Sequence, residues 1–414
     1  MIRRLHKVKE TFASLKIRNY RLYMTGQAIS TTGTWMQNIA MSWLVLKITG
    51  SGTALGVVVA LQFLPLLLLG PWGGIIVDRF PKRRILYVTQ SVQGIISIII
   101  AVLIYTNNAE LWEIYLLALL LGVVNIVDNP TRQTFIPEMV GEKHLMNAIS
   151  LNSIQINLTR VLGPTVAAII IASFGLAACF FFNGLSFIAV LIALAMMDSG
   201  ELRTKPPAPR TKGQLREGFR YIKSNPEIMY TLIMVAIIGT FAYEFSVSLP
   251  LLAEFTFHGD AGTFATLTGA LGVGSMLGGL YTAHRKKTSL KILSKTGLFF
   301  GLSMLVFAVM PTIQLSILMM LVVGFFSINF LSLANVIIQL KSTPEMRGRV
   351  MSLWAMAYLG STPIGGPIIG WIGEHVGPRS SLVIGGISAV IAAWICYSHT
   401  RKSENISLAE NPKM

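Results

Sequence analysis

Residues Asp198–Asn225 read DSGELRTKPPAPRTKGQLREGFRYIKSN, the longest polar stretch in an otherwise apolar chain. Its first part is rich in proline and charge and reads as a linker. Its second part, Gly213–Ser224, reads as a short amphipathic helix lying at a membrane surface. Six apolar segments of helical length precede the stretch and six follow it, so it divides the chain almost at its middle. They lie near 20–46, 53–77, 85–105, 111–131, 147–173, 176–197, 227–253, 263–283, 292–310, 315–339, 350–373 and 380–398.

Of 414 residues, 53% are hydrophobic and 13% charged, against ~25% charged in an ordinary soluble domain. Mean hydropathy is +0.63. So few polar residues cannot cover a soluble surface, which excludes cytosolic, disordered, collagen-like and disulfide-scaffold classes. Alternating barrel strands are absent and long apolar runs abound, so the spanning elements are helices. The expected fold class is an all-α membrane protein with twelve transmembrane helices. Residues 1–197 form one six-helix bundle, 198–226 the cytoplasmic linker and 227–414 a second six-helix bundle.

The net charge is +16 and the pI about 10. Basicity of this size raises nucleic-acid binding, against which stands positive-inside topology. With a cytoplasmic N-terminus, 31 of the 34 Lys and Arg fall in cytoplasmic segments, Lys47 and Arg379 fall outside, and Arg160 lies within a span. The charge is therefore a topology signal and no nucleic-acid partner is expected. The reading places a monomer in the cytoplasmic (inner) membrane, multi-pass, with both termini cytoplasmic. The N-terminal residues are charged throughout and run directly into the first span, as a retained anchor does. Cys179 and Cys396 lie in separate spans and read as small buried hydrophobes.

The halves repeat. Pro137-Glu138-Met139 recurs as Pro344-Glu345-Met346, and Gly163-Pro164 as Gly366-Pro367. Each second span of a half ends in a double glycine and a basic cluster: Gly73-Gly74 before Asp78-Arg79, and Gly278-Gly279 before His284-Arg285. An even number of spans per half gives both halves one orientation, a parallel repeat about the membrane normal.

The segment Gly74-Ile-Ile-Val-Asp78-Arg79-Phe-Pro-Lys82-Arg83-Arg84 resembles the loop signature of the major facilitator superfamily, with Pro81 and Lys82 replacing the usual Gly and Arg. More specific are Gly33-Thr-Trp-Met-Gln37, Trp43-Leu-Val-Leu with Thr49-Gly50-Ser51, Asp128-Asn-Pro-Thr-Arg132-Gln133 and Arg347-Gly-Arg349-Val-Met-Ser352. Together, over nearly the whole chain, they resemble the transmembrane secretion effector branch, which includes enterobactin-exporter-like and macrolide-efflux-like proteins. The resemblance implies a twelve-span secondary transporter exporting small molecules against a proton gradient, and leaves the substrate open.

The loop signature is also readable physically. Gly74 lets span 2 approach a neighbouring helix closely. Asp78 sits where it can face a helix N-terminus, and Arg79, Lys82, Arg83 and Arg84 can pair with acids or lipid phosphates. Gly74, Asp78, Arg79 and Arg83 are candidate gating residues, with Gly74 and Asp78 expected to meet the start of span 11; the alternative is that the charges only enforce topology.

Three spans carry polar stripes. In span 1, Gln27, Thr31, Thr34, Asn38 and Ser42 share a face bordered by Trp35. In span 5, Ser153, Asn157, Arg160 and Pro164 align. In span 7, Thr240, Tyr243, Glu244 and Ser248 do so. Lipid does not tolerate such stripes, so they face protein or water. A buried guanidinium keeps its proton and needs an acid, carbonyls or a wet cavity. Arg160 is thus either an anion-attracting group or the partner of Asp128. Desolvation disfavours the charged form of a carboxyl group, which suits Glu244 to proton coupling, with Asp128 in reserve; either acid can instead be structural. Candidate substrate-binding residues are Thr31, Trp35, Asn38, Asn157, Arg160, Tyr243 and Glu244. Gly272, Gly274, Gly278, Gly279, Gly365, Gly366 and Gly370 read as close-packing positions.

No phosphate loop of the G-x-x-x-x-G-K-[ST] type appears, and no metal-ligand or catalytic pattern, so neither ATP-driven transport nor an enzyme is expected, and no cofactor or metal. The expected function is alternating-access export of a small amphipathic molecule, siderophore- or antibiotic-like, with two bundles rocking about a midplane cavity. Its partners are substrate, protons and the bilayer. A lysophospholipid flippase or solute importer of the same fold is the alternative; a membrane enzyme or receptor explains Glu244 and Arg160 less well.

Overall fold

The computed structural model describes residues 12–203, 214–285 and 288–410. Every regular element among them is helical: α1 Arg18–Thr49, α2 Gly52–Arg79, α3 Lys82–Tyr105, α4 Leu111–Phe174, α5 Leu176–Ala195, α6 Gln214–Ser224, α7 Pro226–Ala242, α8 Phe245–Phe255, α9 Ala261–Ala283, α10 Leu290–Ala308, α11 Ile313–Lys341, α12 Pro344–Tyr358, α13 Thr362–His375 and α14 Pro378–Glu410. Nine stretches of the described residues are long and apolar enough to cross a membrane. One of them, α4, has 64 residues, about 96 Å if straight at ~1.5 Å per residue, or three times the hydrocarbon thickness of ~30 Å. It turns instead at Gly141, where φ is 68°. The order of elements is consistent with the twelve expected spans.

Helix starts follow local chemistry. Asn225 caps α7 ahead of Pro226 at its first turn, and Asp260, Ser289 and Thr312 accept amide hydrogen bonds at the starts of α9, α10 and α11. These short polar side chains satisfy amides that lack an intrahelical partner.

Spans 4 and 5 were expected to be separated by a loop at 132–146. The chain there is helical up to and beyond Gly141, with Pro130 and Pro137 inside the helix. Tertiary contacts hold it: Glu138 pairs with Lys82 at 2.6 Å, and its carbonyl accepts the Arg203 amide at 2.9 Å. Gly141 is required by its positive φ, and the Arg203 guanidinium lies against the space a side chain would take.

The chain groups into two units, residues 1–48 with 64–210, and 49–63 with 211–414. The first has an aromatic core in which Tyr20, Tyr23, Leu86, Phe135, Met139 and Leu194 are buried together. Tyr20 donates to the Ala148 carbonyl at 2.7 Å, which ties α1 to the second arm of α4. In the second unit α9 packs on α11 and α10 on α14. Gly274 and Gly278 abut the carbonyls of Leu321 and Phe325, and Gly301 that of Gly386, with no room for a side chain. Small residues replace the hydrophobic effect as the source of helix association in lipid. Gly279, expected to do the same, has open space around it. The linker helix α6 docks on α12 through Glu217–Arg349 at 2.7 Å and through Gly218 against Leu353.

Residues 49–63 belong with the second unit through α13. Ser51 Oγ, Thr53 N and Thr53 Oγ1 all donate to Glu374 Oε2, at 2.7, 2.9 and 2.6 Å. Below this clasp Gly52 and Gly56 lie against the carbonyls of Gly370 and Gly366.

Candidate transport site

In the first unit the Arg160 guanidinium lies over the Trp35 ring, 5.2 Å from its centroid. Gly163, one turn further on, makes this approach possible, because Trp35 Cβ and the Thr32 carbonyl occupy the space its side chain would need. Arg160 Nε has no hydrogen-bond partner among the described residues. A cation stacked on an indole with an N–H to spare suits an anionic, partly aromatic ligand.

The alternative pairing of Arg160 with Asp128 is not what forms. Asp128 is fully buried and its Oδ2 lies 2.6 Å from Arg132 Nε. Its Oδ1 accepts from Thr89 Oγ1 at 2.6 Å and Gln90 Nε2 at 2.8 Å. Arg132 in turn donates to Gln27 Oε1 at 2.7 Å, so the first residue of the span 1 stripe is committed to this network. Thr31 and Trp35 are half-buried and Asn38 is exposed. Asn157 is half-buried and donates its amide to the Ser153 carbonyl at 2.9 Å.

In the second unit span 7 is not one helix. The break between α7 and α8 falls on Tyr243 and Glu244, with Glu244 at φ −79° and ψ 42°. Glu244 starts α8 by accepting from Val247 N, Ser248 N and Ser248 Oγ with its carbonyl. Span 11 is interrupted too, between Tyr358 and Thr362. The two breaks meet: Gly365 sits on the Thr240 carbonyl, Glu244 Oε1 lies 3.1 Å from where a Gly365 β-carbon would be, and Oε2 lies 3.7 Å from that of Gly366. Glu244 is 3% exposed, and its Oε1 has no hydrogen bond among the described residues. Beside it Tyr243 donates to the Ser327 carbonyl at 2.6 Å and meets the Tyr358 ring edge-on at 5.4 Å; Trp354 lies 5.6 Å from Tyr358. Interrupted helices leave backbone groups and polar side chains unspent at membrane depth, a feature of transporter binding sites.

Of the candidate gating residues, Asp78 is half-buried at the end of α2 and Arg79 exposed. Arg83 donates to the Ala195 carbonyl at 3.2 Å and to Ser199 Oγ. Gly74 is helical, and its surroundings lie outside the described residues.

A family model for the transmembrane secretion effector matches residues 9–413. The chain belongs to that family. It is similar to the staphyloferrin A transporter of Staphylococcus aureus, 26% identical over 375 residues that cover 89% of this chain and 93% of that one. It is 25% identical to the enterobactin exporter EntS of Citrobacter koseri, covering 87% of this chain and 82% of that one. A crystal structure of a bacterial homolog of the human lysosomal transporter Spinster, inward-facing and unoccupied, superposes with a TM-score of 0.71 at 16% identity, covering 92% of this chain and 97% of that one. The fold is that of major facilitator transporters, and the transmembrane secretion effector chain is a multi-pass membrane transporter with efflux proteins among its relatives.

One buried group escaped the sequence reading. Gln37 Oε1 accepts from Ser97 Oγ at 2.7 Å and Asn183 Nδ2 at 2.6 Å, which joins α1, α3 and α5. Ser97 and Asn183 are lone polar groups in apolar runs, and Gln37 stands beside Asn38 in a span that already carries a polar stripe. Such a group in lipid demands a partner, but its spacing does not say which.

Proposed function

We propose that this chain exports a small anionic, siderophore-like molecule by alternating access, as a monomer in exchange for protons, and has no enzymatic role. The observation that carries the reading is the Arg160–Trp35 pair. A permanent charge with an unspent N–H at membrane depth serves an anionic cargo, and both relatives named above carry siderophores in their names. Thr31, Asn38 and Asn157 are the neighbouring polar contacts on this side; Tyr243 and Glu244 serve the second unit, with Glu244 as the coupling acid and Asp128 as the reserve. Gly74, Asp78, Arg79 and Arg83 act as the gate.

Uptake of a labelled catecholate or hydroxycarboxylate siderophore into everted vesicles tests the cargo class. Arg160→Ala is expected to lower uptake of the anion by roughly ten-fold or more, the loss of one charge-assisted contact of about 1.5–3 kcal/mol, while a neutral amphipathic substrate loses little. Equal loss for both, with unfolding of the purified protein, would make Arg160 structural.

The basic-residue bias further supports an inner-membrane orientation with both termini and the 198–226 linker on the cytoplasmic side. With Cys179 and Cys396 replaced, a single cysteine at His258, exposed in the loop before α9, is expected to react with an impermeant maleimide added outside, and one at Pro206 is not. The reverse pattern inverts the topology.

A further inference from the structure

The basic cluster after α2 is unevenly employed. Lys82 is taken by Glu138 at 2.6 Å and Arg83 by Ala195 and Ser199. Arg84 is exposed and has no ion-pair partner among the described residues. It stands at one end of a groove of about 370 Å³ formed by α2, α3 and α4 and lined by Ile76, Phe80, Val88, Val123 and Val127. Phe80 and Val88 are 58% and 64% exposed. The wall includes one further polar residue, Thr89, and its hydroxyl already donates inward to Asp128 at 2.6 Å.

A groove whose described wall offers no free polar atom besides Arg84, opening beside membrane-spanning helices, holds hydrocarbon rather than water. A guanidinium at its end requires an anion, and bidentate phosphate geometry is what Arg suits. From Arg84 to Val92 the groove follows α3 for eight residues, about 12 Å at ~1.5 Å per residue, so head and tail of one molecule are served together. We propose that this groove is a binding site for one anionic phospholipid, its phosphate on Arg84 and an acyl chain along Val88, Val123 and Val127. The lipid becomes part of the packing that positions α3 over the buried Asp128 network. The proposal rests on the chain spanning a membrane and not on its cargo, so failure of the export reading leaves it standing.

Native mass spectrometry of the purified full chain, titrated with phosphatidylglycerol or phosphatidylcholine, measures it directly without transport. Wild type is expected to hold one phosphatidylglycerol in preference to phosphatidylcholine. Arg84→Gln is expected to weaken phosphatidylglycerol about five-fold, the size of one basic residue's attraction to an anionic headgroup, and to leave phosphatidylcholine unchanged. Val123→Trp, which fills the groove and leaves the charge, is expected to remove tight binding of both lipids; Lys47→Gln, outside the cluster, is expected to change neither. Unchanged preference in Arg84→Gln, unchanged binding in Val123→Trp, or equal thermal stabilisation by inorganic phosphate alone would each overturn the site.

Discussion

Glu244→Gln is expected to let substrate equilibrate across proteoliposomes and to abolish its accumulation when a pH gradient is imposed. Glutamine keeps the size and polarity of the side chain at the α7–α8 break and cannot release a proton. For one proton exchanged per substrate, a gradient of one pH unit is worth about 1.4 kcal/mol, a ten-fold concentration ratio. In the variant that ratio falls to about one. The burial of Glu244, its unpaired Oε1 and its contact with the bare backbone of Gly365 and Gly366 motivate the expectation. Retained accumulation with unchanged pH dependence would remove Glu244 from the coupling role.

The second large effect concerns stability. Asp128→Ala leaves Arg132 and Gln90 without their buried acceptor. Breaking a buried ion pair from one side costs about 3–5 kcal/mol, and Arg132 retains 22% exposure, so about 3 kcal/mol is expected. Thermal unfolding of the detergent-solubilised protein reads it as a large drop in midpoint. Asp128→Ala combined with Arg132→Met is expected to recover part of the loss, since no uncompensated charge then remains. If Asp128→Asn keeps its thermal midpoint yet loses pH-driven accumulation, Asp128 is the coupling acid and not an anchor.

The helical class and the apolar spans were legible because a bilayer imposes them: length and hydropathy leave few solutions. The two broken helices were not. Tyr243-Glu244 contains neither Gly nor Pro, and the sequence reads as one continuous stripe; the break is set by α13, whose Gly365 receives the Thr240 carbonyl. Those glycines did announce close packing, without saying against what. The Gly141 turn was blurred for the opposite reason, since the polar 132–146 stretch looks like a loop yet is held helical by Lys82 and Arg203. A guanidinium inside a span demands a partner, but periodicity cannot choose between Asp128 and Trp35, and Asp128 is taken by Arg132 one turn away. Asn38 shows the limit of a stripe argument, because a face shared on a helical wheel does not fix how much of it neighbours cover.

The Glu374 clasp has a bearing on the medium such a carrier works in. On the proposed orientation this end of α13 looks outward, where a proton-driven exporter meets its acid. Partial desolvation pushes the Glu374 carboxyl upward, but Thr53, Ser51 and the adjacent His375 together hold it below the ordinary carboxylate range. A lowered value means the clasp is fully formed above the ordinary value and gives way only as pH falls through the lowered one. The fastening between the start of α2 and α13 is thus insensitive to acidification that stays above the lowered Glu374 value, and under the proposed proton exchange at Glu244 the fastening and the exchange fall on different carboxylates.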